Sequence, residues 1–163
     1  MKKIALAALI SFLITSLVCS TTKAQTSPVT MPALGTGNPW TENQLMDPSA
    51  LAYIILDSKT NKPLILNIGA VADIKDAIHI GAVSETENLK KLNSAVHLLP
   101  KNTAIVIYCG CCPFTKCPNV RPAFSELQKA GFINVKVLNL SMNLKVNWSS
   151  KGYPLAASKT AQP

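Results

Sequence analysis

Four cysteines and the only arginine of the chain lie close together, and these residues are the best suited to do chemistry. They lie in the stretch IVIYCGCCPFTKCPNVRPAF at positions 105–124, and the arginine is Arg121. The four thiols are those of Cys109, Cys111, Cys112 and Cys117. A cysteine thiolate is a nucleophile, and an arginine side chain binds small anions through paired hydrogen bonds. The grouping therefore indicates thiol chemistry on an anionic substrate.

Cys109 follows TAIVIY, the most strand-like segment of the sequence, and Arg121 stands at the start of a predicted helix. A strand that ends in a cysteine and leads to a helix start favours a thiolate, because free N–H groups and the helix dipole stabilise negative charge there. Gly110 allows the backbone to turn sharply beside the thiol. We therefore expect Cys109 to be the nucleophile and Arg121 to hold the anion.

The other three thiols leave alternatives open. Cys117 is the main rival nucleophile, because it lies just before the helix start, where the dipole lowers the pKa of a thiol. Cys112 and Cys117 could form a disulfide, either as a structural link or as a reversible redox couple. Cys111 is a further alternative nucleophile or redox partner.

The cysteines at this spacing could also bind a soft metal such as Cu(I) or zinc, although zinc sites more commonly use two separated pairs. The prediction is a site without a metal or a cofactor.

The segments around the cysteines alternate between apolar runs of strand length and capped helices. Strands are predicted at LILNIG (64–69), 78–83, TAIVIY (103–108) and 135–140. Helices are predicted from Asp47-Pro48 to about Asp57, from a capping box of Ser84 and Glu87 to about His97, and over 121–130 with Gly131 as the C-terminal cap. Runs that are apolar on both faces are typical of a parallel sheet buried between helices. The pattern predicts an α/β fold with a parallel sheet and helices on both faces, and ligands of such folds bind at the carboxyl ends of the strands.

This stretch, together with the end of the chain, resembles the rhodanese-like sulfurtransferase domain. The resemblance rests on IVIYC, a loop, Arg121 at a helix start, then AGFINVKVL, and finally Trp148 with GYP, and it covers about positions 64–154. It implies a rhodanese-like fold with a five-stranded parallel sheet, and a cysteine that carries sulfur as a persulfide. A protein of this kind takes sulfur from a small anionic donor and passes it to a thiol acceptor.

The sequence departs from the pattern of that family at three places. The segment Asn67-Ile68-Gly69 stands where the family usually has Asp-x-Arg, and Ile78 stands where it usually has a histidine. The loop between Cys109 and Arg121 is also longer than the usual loop of the family. An expanded, cysteine-rich active-site loop is therefore the feature that sets this sequence apart.

The N-terminus is typical of a secretory signal, because two lysines precede the apolar run 4–18 and a small-residue cleavage site ends at Ala24. The apolar run is shorter than the roughly 20 residues that a membrane-spanning helix needs, so no membrane span is expected once the signal is removed. A lipid anchor at Cys19 is the less favoured alternative.

The expected organisation is a signal peptide at 1–24, a flexible lead-in at 25–39, the rhodanese-like domain at 40–154 and a disordered tail at 155–163. The expected location is the periplasm or the exterior of the cell.

The charge pattern disfavours several other classes of protein. The formal net charge is +8, but the lysines are scattered, whereas a nucleic-acid-binding protein would need a basic stripe interleaved with aromatic residues. Asp73 and Asp76 form no convincing acid–base pair, so nothing in the sequence supports a hydrolase. His79 and His97 lie far from the cysteines in the sequence, and we expect both to be structural.

Overall fold

Five strands form one parallel sheet in the computed structural model, which describes residues 37–157. The strands are β1 (Leu45–Met46), β2 (Leu64–Asn67), β3 (Ala77–His79), β4 (Ile105–Tyr108) and β5 (Val135–Leu138). Their order across the sheet is β1-β5-β4-β2-β3, and every neighbouring pair is parallel. The strand that precedes Cys109 is therefore the central one. The predicted α/β class and its five-stranded parallel sheet are confirmed.

Four α-helices cover the two faces of this sheet. They are α1 (Pro48–Leu56), α2 (Thr86–Val96), α3 (Val120–Lys129) and α4 (Leu144–Asn147), and single 3-10 turns occur at Glu42–Gln44, Phe114–Lys116 and Ser149–Lys151. One apolar core lies on the side of α1 and α4 and includes Leu51, Ile55, Leu144 and Trp148. The other lies on the side of α2 and α3 and includes Leu92, Val96, Phe124 and Leu127. Strand β4 sends Val106 and Tyr108 into the first core, and Ile105 and Ile107 into the second. Burial on both faces explains why its sequence is continuously apolar.

Local sequence signals correctly predict where α1 begins and where α3 ends. The Asp47 side chain accepts a hydrogen bond from the Ser49 N–H at 2.7 Å and so caps α1, which starts at Pro48. Gly131, just past the end of α3, has φ of +88°, a left-handed conformation that glycine adopts without strain. Caps of this kind involve only neighbouring residues, so the sequence alone is sufficient to predict them.

The predicted capping box at the start of α2 is wrong. The helix begins at Thr86, and its N-cap residue Glu85 makes no side-chain capping hydrogen bond. The Ser84 N–H instead donates to the side-chain oxygen of Asn119 at 2.9 Å. A long-range hydrogen bond therefore fixes the chain at the position where a local cap was expected.

The edges of the sheet differ most from the prediction. The strand predicted at 78–83 is the short edge strand β3, which pairs only with β2 and leaves Ile78 44% exposed. Strand β5 ends at Leu138 and so is two residues shorter than predicted. The opposite edge strand, β1, was not predicted and pairs through only two residues. Helix α4 was also not predicted.

The described residues include the whole expected domain 40–154 and the first three positions of the expected tail. The predicted signal peptide 1–24, most of the lead-in 25–39 and the positions of the tail beyond 157 lie outside the described residues. Leu155 forms an antiparallel bridge with Ile74, and the Ala156 N–H donates to the Asp73 carbonyl at 2.8 Å. Ordered packing therefore continues beyond Pro154. Between residues 37 and 157, no helix combines the length and the hydropathy needed to span a bilayer.

Candidate thiol site

Cys109 lies directly after β4, at the carboxyl end of the central strand, and is only 2% exposed. The loop that follows β2 packs closely against it. A side-chain carbon placed on Gly69 would lie 2.5 Å from the Cys109 carbonyl oxygen and 2.8 Å from its Sγ. Both distances are too short for any residue other than glycine. Gly69 is therefore part of the site, although in the sequence it was visible only as a departure from a family pattern.

Three sulfur atoms converge at this point. The Sγ atoms of Cys109, Cys111 and Cys117 all lie within 4.8 Å of one another, and those of Cys109 and Cys111 are 3.2 Å apart. Cys112 extends the group toward solvent, with its Sγ 3.4 Å from that of Cys111. Cys109 and Cys117 are buried, Cys112 is half-buried and Cys111 is exposed. All four are free thiols in this structure.

The long loop between Cys112 and α3 folds back so that Cys117 meets Cys109. A single 3-10 turn over Phe114–Lys116 reverses the chain, and the Cys117 N–H donates to the Phe114 carbonyl at 3.3 Å. The Phe114 N–H donates to the Leu140 carbonyl at 3.1 Å, which ties the turn to the segment after β5. The additional length of the loop therefore forms an ordered turn that delivers a second buried thiol.

Asn119, which sequence reasoning did not identify, holds the Cys109 sulfur. It is 5% exposed, and its Nδ2 group donates to the Cys109 Sγ at 3.3 Å. Its Oδ1 accepts the hydrogen bond from the Ser84 N–H, so the amide is oriented with its donor facing the sulfur. The only signal for this role in the sequence is a polar residue immediately before a helix that follows a cysteine.

The hydrogen bonds of the cluster concentrate negative charge on one sulfur. The pKa of Cys109 is lowered to about 5, mainly because of hydrogen bonding with the Cys117 thiol, and Asn119 and Cys111 act in the same direction against the effect of burial. The pKa of Cys117 is raised, because its thiol hydrogen-bonds with Cys109 and because it is buried. The pKa of Cys111 is raised to about 12, first by burial and then by hydrogen bonding with Cys109 and Cys112. Among the three converging sulfurs, Cys109 is therefore the one that is ionised at neutral pH.

The contacts of Arg121 are with the segment that precedes β1. Its Nη2 donates to the Asn38 side-chain oxygen at 2.8 Å, and its guanidinium carbon lies 5.9 Å from the centre of the Trp40 ring. Among the described residues, no hydrogen bond joins it to any of the four cysteines. Its role in holding an anion therefore stays a prediction.

An open groove of about 420 Å³ lies beside Cys111. Val71, Gly110 and Leu144 form part of its wall, and the exposed Lys145 is the cation that lines it. An anion in this groove would meet Cys111 before it reached the buried Cys109. Lys145 was not singled out in the sequence, because nothing there places it near the cysteines.

A polar network holds the loop that carries Gly69. The buried Asn67 side chain accepts a hydrogen bond from the Gly69 N–H at 3.1 Å and donates to Asp73 Oδ1 at 2.8 Å. His79 Nδ1 lies 2.9 Å from the same Asp73 oxygen. The network links the carboxyl ends of β2 and β3 and presses Gly69 against Cys109. His79 therefore acts as a positioning residue in this arrangement.

Comparisons with known proteins assign no family. The sequence matches no protein-family model, and no curated protein matches it significantly.

Proposed function

We propose that this chain is a rhodanese-like sulfurtransferase in which Cys109 carries sulfane sulfur as a persulfide. The observation that supports this most is the environment of the Cys109 sulfur. It lies at the carboxyl end of the central parallel strand, accepts a hydrogen bond from Asn119, and has a pKa lowered to about 5. Such a thiolate is ionised at neutral pH and so is ready to attack a sulfur donor. The five-stranded parallel sheet is the sheet that the rhodanese-like resemblance implies.

The reaction has two balanced steps. In the first, the Cys109 thiolate attacks the outer sulfur of a donor such as thiosulfate, the sulfur–sulfur bond of the donor breaks, and sulfite leaves with the bonding electron pair. The terminal sulfur of the new persulfide carries the negative charge. In the second step, the thiolate of an acceptor attacks that terminal sulfur and becomes a persulfide, and the Cys109 thiolate is restored.

The neighbouring residues have separate roles in this proposal. Asn119 and the Cys117 thiol stabilise the Cys109 anion before each turnover and after it. Lys145 supplies positive charge in the groove beside Cys111, where an anionic donor first meets the cluster. Arg121 donates to Asn38 through Nη2, so it would bind the donor through its remaining N–H groups or by releasing Asn38.

A thiol–disulfide module is the second candidate function. The 3.2 Å between the Cys109 and Cys111 sulfurs favours it, because reacting atoms at about 3–3.5 Å are close to attack distance. Forming this disulfide from the Cys109 thiolate and the Cys111 thiol would release one proton, from Cys111, and pass two electrons to an external oxidant. The number of free thiols in such a protein would depend on the redox potential of the solution. Its mass would not increase by a sulfur atom on treatment with thiosulfate.

Mass spectrometry of the reduced, metal-free protein after thiosulfate treatment separates the two functions. We expect the mass to increase by one sulfur atom and the increase to disappear when cyanide is added. Cys109→Ser should abolish the gain, whereas Cys111→Ser and Cys112→Ser should retain a measurable fraction, and Cys117→Ser should mainly change the redox state of the loop. No sulfur gain in the reduced protein excludes the transferase. A dead Cys117→Ser beside an active Cys109→Ser would move the nucleophile to Cys117.

The proposal includes export, with cleavage after Ala24. Its support is the sequence of the first residues: two lysines, an apolar run and a small-residue site. N-terminal sequencing of the protein recovered from a producing cell should begin at Gln25. A sequence that begins at Met1 or Lys2 contradicts export by this signal, and a chain that begins at a lipid-modified Cys19 supports the anchored alternative.

A further inference from the structure

The three converging sulfurs are more than sulfur transfer needs, because that reaction uses one nucleophilic sulfur. One thiolate and its hydrogen-bond donors are sufficient for a persulfide, yet the loop brings Cys117 into full burial beside Cys109. Gly110, with φ of +80°, turns the chain so that Cys111 approaches the same point. Three separate positions of the loop therefore supply sulfur atoms that all lie within 4.8 Å of one another.

We propose that Cys109, Cys111 and Cys117 bind one Cu(I) ion as a three-sulfur site. Cysteine thiolates are soft ligands, and the metals that they favour include Cu(I). Metal–sulfur bonds of about 2.3 Å would place the sulfurs of a three-coordinate site about 4 Å apart. The observed separations, from 3.2 Å to no more than 4.8 Å, bracket that value. Small side-chain rotations would therefore be enough to close the site around the ion.

The number and kind of ligands favour Cu(I) over zinc. Structural zinc sites are almost always tetrahedral with four protein ligands. Within the described part of the chain, the converging group contains three cysteines and no histidine or carboxylate. Cys112 lies 3.4 Å from Cys111 but is not part of the converging group. Cys109 and Cys117 are buried, so a water molecule has little room to complete a tetrahedron on their side.

The exposure of the three ligands also provides an entry path. Cys111 is exposed and lines the open groove, whereas the other two sulfurs lie behind it. An incoming ion would bind Cys111 first and then exchange onto the buried pair. Binding releases the protons of the ligating thiols to solvent and transfers no electrons, because copper enters and stays as Cu(I).

Copper binding and sulfur transfer share Cys109 but can be tested separately, because only copper binding requires a sulfur at Cys117. Cys117→Ser keeps an O–H donor beside the Cys109 sulfur and removes one soft ligand. Cys112→Ser is the matched control, since it removes a neighbouring thiol outside the converging group. Cys19 lies outside the described residues and is retained in every variant, so it cannot account for a difference between them.

The experiment is a competition titration of the reduced full chain with the Cu(I) complex of bicinchoninate, without oxygen. We expect wild type and Cys112→Ser to remove one Cu(I) per chain with equal affinity. Cys117→Ser and Cys111→Ser should lose at least about 100-fold in affinity, because losing even an outer-shell partner of a metal costs roughly 10–100-fold. X-ray absorption of the loaded wild type should show three sulfur neighbours around the copper.

Several results would overturn the copper site. One is that the wild type fails to compete with bicinchoninate for Cu(I). Another is that Cys112→Ser lowers the Cu(I) affinity as much as Cys117→Ser does. A third is that Cys117→Ser binds Cu(I) as tightly as the wild type. Cys111 is exposed, so Cys111→Ser keeps the test valid if Cys117→Ser does not fold. Thiosulfate treatment of reduced, metal-free samples of the same variants separates the two hypotheses. Sulfur gain without copper binding removes only the copper site, and copper binding without sulfur gain removes only the transferase.

Discussion

At the scale of single residues, one amide helps to stabilise the thiolate of the cluster. The Asn119 amide makes two side-chain hydrogen bonds. Its oxygen accepts from the Ser84 N–H, and this orientation directs its NH₂ group to the Cys109 sulfur. The side chain is buried, so water cannot replace either hydrogen bond at low cost. The Cys109 thiolate is therefore stabilised in part by a residue with no reactivity of its own, in addition to the Cys117 thiol.

Asn119→Asp should raise the pKa of Cys109. The carboxylate keeps an oxygen for Ser84 but replaces the amide donor with a negative charge beside the thiolate, which disfavours ionisation of the sulfur. We expect alkylation of Cys109 by iodoacetamide, followed by peptide mapping, to have its pH midpoint near 5 in wild type. In the variant the midpoint should be clearly higher, so reaction below neutral pH should slow.

The control for this experiment is Asn102→Asp, the same change at an exposed position. It should leave the midpoint where wild type has it. An Asn119→Asp midpoint equal to that of wild type would show that the Asn119 amide does not stabilise the thiolate.

At the scale of structural elements, the site is built from the carboxyl ends of β2 and β4 and the start of α3. The two strands are hydrogen-bonded neighbours, so the turn after β2 lies against the first residue after β4. The approach is close because Gly69 has no side chain. The Asn67, Asp73 and His79 network holds that turn in place.

Gly69→Ala should destabilise the fold and displace Cys109. The added methyl group would lie 2.5 Å from the Cys109 carbonyl oxygen, which belongs to the backbone and cannot rotate away. Overpacking of this kind costs about 1–3 kcal/mol. Urea unfolding should therefore shift to lower concentration, and the persulfide yield should fall.

Gly37→Ala is the matched control for Gly69→Ala, because nothing lies within 4 Å of a side-chain carbon at that position. Its unfolding midpoint should equal that of wild type. If Gly69→Ala is as stable and as reactive as Gly37→Ala, the close contact with Cys109 is not present in solution.

The sequence is sufficient for elements whose signals are local and not for contacts between distant segments. Asp47 with Pro48 marks the start of α1, and the apolar run of β4 marks a strand buried on both faces. The hydrogen bond from Ser84 to Asn119 joins residues far apart in the chain, so no local pattern announces it. Strand β1 is too short to show any periodicity. The cysteines were identifiable by type, but their convergence depends on the 3-10 turn in the long loop.

At the scale of the whole molecule, the two cores lie on opposite faces of the sheet, and the segment after Trp148 packs back against the rest of the fold. Trp148 is fully buried in one core, and its Nε1 donates to the Pro154 carbonyl at 3.0 Å. The segment that follows continues along the loop before β3, through the bridge between Leu155 and Ile74. The last described residues therefore contribute to the fold rather than trail from it.

Ending the chain after Pro154 should cost stability, whereas ending it after Ala157 should not. The shorter chain loses the Leu155 bridge and the hydrogen bond from Ala156 to the Asp73 carbonyl, and each hydrogen bond contributes about 0.5–1.5 kcal/mol. Urea unfolding of the two truncated chains and of the full chain measures the difference. Equal midpoints for all three would mean that the segment after Pro154 does not contribute to folding.

Cys109 is 2% exposed, whereas its neighbour Cys111 is exposed and lines the open groove. A reagent that approaches through the groove therefore meets Cys111 first. If Cys109 carries sulfur as proposed, we expect compact reagents such as thiosulfate, cyanide and sulfite to reach it more readily than a cysteine on the surface of another folded protein. The proposed persulfide is then better suited to a small acceptor than to a protein thiol.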